Sequence, residues 1–565
     1  MPAPPGHPKG RTAPSGGSED TPVPSVGANP HDVVIMGGGL AGLTLALQLK
    51  ARFADIDVLV LERRSHPVPH ATHKVGESSV EIGAHYFDTV LGLKAHMQGA
   101  QLRKFGFRFF FSEGRRDIDQ VTEIGASRYL SVPSYQIDRG IFENFLAEEA
   151  ARRGVRFVDD ARVCSVELAE APNKLHTLSW AQGSKTHTVA ARWLIDACGR
   201  AGLLKRKLGL AEPNAHEANA VWFRIGERIV LDEWSDNLQW RARCEPQARW
   251  LSTNHLVGAG FWVWLIPLAS GSHSVGIVAD PALHPLENID SFDKAMVWFS
   301  KYQPRLYDAL ADKRQLLQDF AFFRKFSYGC KQVFSGRRWA LTGEAGLFLD
   351  PFYSPGSDFI AMGNTYITDL IAHDRAGRSV EARARLYDQI YHSFYESTLA
   401  LYQDQYPLLG DPEVLPVKVI WDYTYYWGVL SQIFFHGRLC DLALLGSLRE
   451  ELMHCQKLNI AMQALLRAWS AVSGNQTRAV MLDQAALPWF AELNVSLHDQ
   501  LDDAAFQQRL RASTAQLQRL AEEIRQRALA CDAGIDDRAL DQLLKQNGPV
   551  AAVDTAQAAM LFVAA

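Results

Sequence analysis

The run Val33-Val34-Ile35-Met36-Gly37-Gly38-Gly39-Leu40-Ala41-Gly42 restricts the fold more than any other segment of this chain. Its apolar start does not alternate, as expected for a strand buried on both faces. It runs into a G-x-G-x-x-G turn and then into the apolar helical run Leu43–Lys50. Gly37 permits the tight turn. Gly39 lets backbone N–H groups approach a pyrophosphate at the positive end of the helix, and Gly42 lets helix and strand pack closely. A second apolar strand, Ile56–Leu61, ends in Glu62. That is about 20 residues past the last glycine, where a carboxylate accepts ribose hydroxyls. The expectation is a dinucleotide site formed by Gly37, Gly39, Leu40, Ala41, Gly42 and Glu62. The alternative is a tight turn in an α/β fold with no ligand.

At 565 residues the chain is too long for one ordinary core, so two or three structural units are expected. The net charge of −5 comes from interspersed acids and bases without a long basic block, which argues against a nucleic-acid partner. Seven cysteines are scattered and include no C-x-x-C. That pattern points to a reducing, cytoplasmic setting and away from a disulfide frame or zinc site. Residues 1–30 are rich in Pro, Gly and Ser and lack an apolar core segment, which predicts a disordered tail, not a signal peptide. No apolar run reaches the roughly 18 residues needed to span a membrane.

Along the chain, a Pro/His-rich loop covers His66–His73, with no matched carboxylate or thiolate to make it a metal site. Val75-Gly76-Glu77-Ser78-Ser79 precedes an amphipathic segment from Val80 to Leu93. Leu102–Phe111 reads as a strand. A helix is predicted from Ile137 to Arg153. Val155–Leu168, Thr177–Trp180, His187–Ala191 and Leu194–Asp196 read as separate strands. Strand-like runs fill about 215–335 and include Trp262-Val263-Trp264-Leu265-Ile266-Pro267. Trp339–Leu341 leads into Gly343-Glu344-Ala345-Gly346, the turn Asp350–Asp358, and a helix from Phe359 to Ala372. After 380 the pattern is mostly helical, and there is no internal repeat.

Nucleotide-fold segments at 31–65, 135–200 and 336–372 are thus interrupted by a β-rich stretch. That order resembles flavin monooxygenase-type proteins. The fold class expected is α/β: a Rossmann-type FAD-binding fold with a β-rich substrate insertion and a helical C-terminal region. The boundaries read are 31–213 (with substrate-side elements near 66–134), 214–335, 336–378 and 379–565.

Four motifs together resemble the flavin-dependent halogenases: Gly37–Gly42, Val75-Gly76-Glu77-Ser78, the W-x-W-x-I-P run at Trp262–Pro267, and the Asp350–Gly356 turn. The resemblance covers roughly 31–435. It is closer to the branch acting on phenolic, pyrrolic or carrier-bound aromatics, including the second chlorinase of pyrrolnitrin synthesis, than to the tryptophan halogenases. It implies FAD, taken as FADH2 from a separate flavin reductase, with dioxygen and chloride or bromide as co-substrates. A flavin C4a-hydroperoxide would oxidise halide to hypohalous acid, which travels to an electron-rich aromatic, free or bound to a carrier protein.

The resemblance also implies residue roles. Lys104 matches the active lysine, and its aromatic flanks would desolvate the ammonium; the alternatives are a strand-start lysine with its head in solvent, and Lys74 as the active group. Trp262 and Trp264 share one strand face and would separate substrate from flavin, or else are simply core aromatics. Arg139 matches an arginine reaching the flavin phosphate or ribityl chain; the alternative is a helix-start pair with Asp138. Gly343 and Glu344 match a G-D-A motif, with glutamate for aspartate, and Asp350 is placed beside the cofactor. Tyr353 stands where tryptophan halogenases carry a glutamate, against an indole-specific site. Pro355 occupies a halide-contacting position but has no N–H. Gly356 and Ser357 would then supply the donors.

The aromatic run Val419–Phe435 reads either as a pocket wall or as a helix buried against the main body. Two rivals to the halogenase stay open: a flavin hydroxylase of the same fold, and a non-catalytic flavin-binding scaffold.

Overall fold

The computed structural model describes residues 30–70, 75–171, 173–474, 476–546 and 561–562. Of the tail expected over 1–30, residues 1–29 lie outside the described residues, as does the competitor Lys74.

The first sheet runs in the order Phe334–Ser335, Trp339–Leu341, Lys185–Asp196, His31–Met36, Val58–Leu61, Arg156–Val158. The strands flanking His31–Met36 are parallel to it, as are Trp339–Leu341 to Lys185–Asp196 and Arg156–Val158 to Val58–Leu61, while Phe334–Ser335 pairs antiparallel with Trp339–Leu341. Parallel pairs require crossovers, usually helical. Helix Leu40–Arg52 follows the first strand, and helices Arg139–Arg152 and Gly356–Arg375 pack against it. Val33–Met36 and Val58–Leu61 are buried without interruption, as central parallel strands are. The last strand of this sheet therefore arrives some three hundred positions after the first, as the segment order implied.

Two strand boundaries differ from expectation. Val155–Leu168 is two strands, Arg156–Val158 and Arg162–Glu167, because the chain turns at Asp160, whose φ is +49°. Conversely His187–Ala191 and Leu194–Asp196 are parts of one strand of 12 residues, Lys185–Asp196. Its first half pairs antiparallel with His176–Gln182 and its second half parallel with His31–Met36. Arg192 does not interrupt it, because its guanidinium is held by Asp374 at 2.6 Å.

The second sheet has eight strands: Leu317–Phe323, Asn219–Ile225, His273–Ala279, Phe261–Pro267, Thr253–Gly258, Phe107–Phe110, Glu123–Gly125 and Met481–Asp483. The last pairs parallel with Glu123–Gly125. A strand here was not expected from the helical pattern after 380; three residues are too few to carry a period. This sheet separates two cores. Trp262, Trp264 and Ile266 face the main core, while Phe261, Val263 and Leu265 face a smaller one with Trp298, Phe299 and Leu306. The period-2 alternation read from the sequence decides which side each residue serves.

Beyond 380 the chain is chiefly helical, with long helices Arg449–Ser470 and Asp503–Cys531. Helix Val414–Tyr425 continues into a π-helical turn, Tyr426–Ser431. Within it Lys418 and Asp422 form a fully buried pair at 2.8 Å, and Gln463 accepts from the same ammonium at 2.6 Å. All seven cysteines are unpaired thiols. Among the described residues no helix is long and apolar enough to cross a membrane, and no group of three His, Cys, Asp or Glu could hold a metal ion.

Candidate functional site

The glycine turn is closed on itself and open at one point. A Cβ at Gly37, whose φ is +110°, would meet the Ala197 carbonyl oxygen at 2.3 Å, and one at Gly42 would meet the Gly37 oxygen at 2.0 Å. A Cβ at Gly39 would meet nothing within 4 Å. Above Gly39, then, there is space at the N-terminus of helix Leu40–Arg52, where the first amides have no intrahelical acceptor. Glu62 ends its strand beside this turn. Its carboxylate accepts from the Gly38 N–H at 2.7 Å and from the Arg64 N–H at 2.8 Å. Gly343, with φ +60°, packs against Ala41 and brings the returning segment onto the same helix. These residues fit a dinucleotide: a tight cradle, open amides and an acidic residue at the adjoining strand end.

Three residues expected at the cofactor make contacts within the protein. Arg139 donates to the Val75 carbonyl at 2.6 Å and pairs with Glu143 at 2.5 Å, not with Asp138, so it holds the Val75–Gly76 loop. Glu344 pairs with Arg200 at 3.2 Å. Asp350 is fully buried. Its Oδ1 caps the following turn at the Phe352 N–H, while its Oδ2 accepts from Tyr406 at 2.5 Å and meets His216 Nε2 at 2.7 Å. For Asp350, fully buried, the reason is that a buried charge left unpaired is costly.

Glu77 of the V-G-E run fastens the loop to the second sheet. It accepts from Arg224 at 2.8 Å, and Arg224 also pairs with Asp319. Burial pushes the Glu77 carboxyl up, against the pull of Arg224.

Lys104 lies in a break of the predicted strand Leu102–Phe111. Gly106, with φ +75°, divides it into Leu102–Arg103 and Phe107–Phe110. The break turns the lysine inward, and it is 3% exposed, which removes the solvent-facing alternative. Its ammonium donates to Ser78 Oγ at 2.9 Å and to the Ser79 carbonyl at 3.2 Å, and lies 3.3 Å from the Phe107 ring centre. Burial pulls its pKa down to about 7, opposed by the nearby Glu81 and Asp358 carboxyls.

Trp262 and Trp264 are buried side by side, ring centres 5.7 Å apart. Trp262 donates to Tyr406 at 3.1 Å and Trp264 to Ser274 at 3.1 Å. They are both core aromatics and neighbours of the site. His255 connects them to the lysine: its ring stacks on Phe109 at 4.7 Å and stands 5.1 Å from Trp262. Burial first, then Lys104, hold its pKa well below the usual imidazole range.

A small apolar cavity of about 60 Å³ is lined by Tyr353, Pro355, Asp358, Tyr402, Tyr423 and Tyr426 among others. A water needs roughly 10–15 Å³ by this measure, so the space holds a few waters as it stands. The aromatic run Val419–Phe435 supplies one wall, and most of the run is also buried, so both readings of it hold. Gly356 and Ser357 open helix Gly356–Arg375, directly beside that wall.

Sequence reasoning missed Glu81, His255, Asp358 and Tyr426. An acid in the first turn of a helix ordinarily complements the helix dipole, and Glu81 and Asp358 both have that signature. Only the fold brings them to Lys104.

The FAD binding domain family matches residues 30–256. The flavin-dependent halogenase chlA of Dictyostelium discoideum is 25% identical over 433 residues, covering 71% of this chain and 70% of the relative. The 1H-pyrrole-2-carbonyl-[peptidyl-carrier protein] chlorinase of Pseudomonas fluorescens is 27% identical over 348 residues, 58% of this chain and 72% of the relative. These matches support the flavin-dependent halogenase family for this chain. The fold agrees: the crystal structure of halogenase PltM in complex with phloroglucinol and FAD superposes with a TM-score of 0.59 at 18% identity, over 87% of this chain and 96% of that one. The halogenase is an enzyme that uses FAD to halogenate an aromatic substrate. Reduced FAD, when bound, would supply with dioxygen the oxidising equivalent for halogenation.

Proposed function

We propose that this halogenase places bromide or chloride on a free or carrier-bound electron-rich ring, phenolic or pyrrolic, by electrophilic substitution at Lys104. The fully enclosed ammonium of Lys104, fixed by Ser78 and Ser79 beside a tyrosine-walled cavity, is the observation that carries the reading. An amine held in a dry site can capture or orient hypohalous acid, and water is kept from quenching it. Gly37, Gly39, Leu40, Ala41, Gly42 and Glu62 would hold the dinucleotide, with Gly343 closing over it. Trp262 and Trp264 would keep substrate from the flavin ring. The amides of Gly356 and Ser357 would take the halide. Segments 31–213 and 336–378 would form the FAD-binding part and 214–335 the substrate part, with 379–565 walling the pocket. A separate flavin reductase would deliver the reduced cofactor.

The test is a coupled assay with FAD, NADH, a flavin reductase, bromide and phenol, read by mass spectrometry. Bromophenol from the wild-type protein and none from Lys104→Ala is the expected result. Equal product from both removes Lys104 from the chemistry.

A further inference from the structure

Asp358 takes no part in the proposal above, yet it lines the same cavity. It stands in the first turn of helix Gly356–Arg375 and is 3% exposed. The Gly83 N–H donates to its Oδ1 at 2.8 Å and the Tyr426 hydroxyl to its Oδ2 at 2.7 Å. Among the described residues, the cavity-wall hydroxyls of Tyr353 and Tyr402 have no close hydrogen-bond partner, with Asp422 and the Tyr353 backbone their nearest polar neighbours. Buried polar atoms normally have partners, so their gathering around one cavity marks the place of a polar ligand atom.

We propose that Asp358 is a second catalytic group of the halogenation step, the proton donor to the hydroxide that leaves hypohalous acid. The proposal rests on the reading of Lys104 given above. The ring carbon attacks the halogen; the carbon–halogen bond forms and the halogen–oxygen bond breaks, its electron pair staying on oxygen. Asp358 gives that oxygen a proton, and water departs. The proton displaced from the ring carbon goes to the Lys104 amine. The sum is ArH + HOX → ArX + H2O, with one proton moved from Asp358 to Lys104. Its return from ammonium to carboxylate resets the pair.

The ionisation of the cluster fits these roles. Burial pushes the Asp358 carboxyl up to about 8, with Glu81 adding to it and Tyr426, Gly83 and Lys104 opposing. Tyr402 and Tyr423 also face Asp358, and His255 faces Lys104 from the second sheet. At neutral pH the acid holds its proton and the amine is partly free of its own.

Bromination of phenol with bromide, FAD, NADH and a flavin reductase tests this. Asp358→Asn keeps the shape and an acceptor for Gly83. It should bind FAD and consume dioxygen as wild type does, and release hypobromous acid that monochlorodimedone traps. Bromophenol should form about 100-fold more slowly, the low end for a lost general acid. The wild-type kcat should fall on the alkaline side as Asp358 loses its proton, and this limb should vanish in Asp358→Asn. Tyr426→Phe removes a hydrogen bond that favours the carboxylate, so its alkaline limb should move to higher pH.

Wild-type bromination by Asp358→Asn overturns the proposal, and so does a slower rate with the alkaline limb unchanged. If Asp358→Asn fails to bind FAD, the Tyr426→Phe profile decides, and an unmoved limb overturns it. Lys104→Ala in parallel separates the two ideas. Bromination by Lys104→Ala sinks the reading of the lysine; its loss there with full rate in Asp358→Asn sinks the role of Asp358 alone.

Discussion

Trp262 donates its indole N–H to Tyr406, and Tyr406 donates in turn to Asp350, so an aromatic of the second sheet is tied to the turn that leads into helix Gly356–Arg375. All three are buried. Tyr406→Phe leaves the indole nitrogen without an acceptor and takes a donor from Asp350. Leaving buried polar atoms unpaired costs about 1–3 kcal/mol. Thermal unfolding of Tyr406→Phe should show a lowered midpoint; an unchanged midpoint means the chain of hydrogen bonds contributes nothing to stability.

Gly39 and Gly42 should respond to enlargement in opposite ways. Gly39→Val meets open space in the protein and should leave the fold intact while blocking the pyrophosphate. Gly42→Val drives a side chain into the Gly37 carbonyl and should prevent folding. Circular dichroism and FAD titration together check both, and wild-type FAD affinity in Gly39→Val rejects the cradle.

NADH alone should not bleach the bound flavin at a useful rate, whereas an added reductase should support turnover. Stopped-flow absorbance reads this directly. Rapid reduction by NADH or NADPH without a reductase would count against a two-component enzyme.

Lys104→Arg should fail as Lys104→Ala does. A guanidinium stays charged and holds its donors in a planar fork, which Ser78 Oγ and the Ser79 carbonyl do not match. Oxygen consumption with FADH2 should persist in both variants. Near wild-type halogenation by either one contradicts the assignment.

The buried pair should also leave a mark on stability. Lys104 has a folded pKa of about 7 against an ordinary 10.5, so between those values the unfolded chain binds more protons and this residue's contribution rises with pH. Asp358 has about 8 against an ordinary 3.8, so between those values the folded chain binds more, and its contribution falls as pH rises. Replacing Asp358 with Asn should therefore flatten the decline in unfolding midpoint from about pH 4 to 8 relative to wild type. Parallel midpoint curves for the two proteins would show that Asp358 titrates alike in both states.

The nucleotide sheet was legible because its signals are local. Val33–Met36 and Val58–Leu61 announce themselves as buried strands, and the glycines between them set the turn. Lys104 was reached through a resemblance, since nothing in Leu102–Phe111 alone tells an inward lysine from an outward one. Gly106 makes the difference, by bending the chain at that point. Arg139, Glu344 and Asp350 were placed at the cofactor because their motif positions match. Their actual partners, Val75 and Glu143, Arg200, and Tyr406 with His216, mostly come from distant parts of the chain. Asp358 and Glu81 looked like ordinary helix-start acids for the same reason.

The short strand Met481–Asp483 changes what the C-terminal region is. It borders the sheet that also contains Phe107–Phe110, just past Lys104, so the last part of the chain finishes an element begun near the first hundred residues. Such a region is not a removable appendage. A chain cut before 481 would bare the backbone of Glu123–Gly125 as a raw edge open to neighbouring molecules.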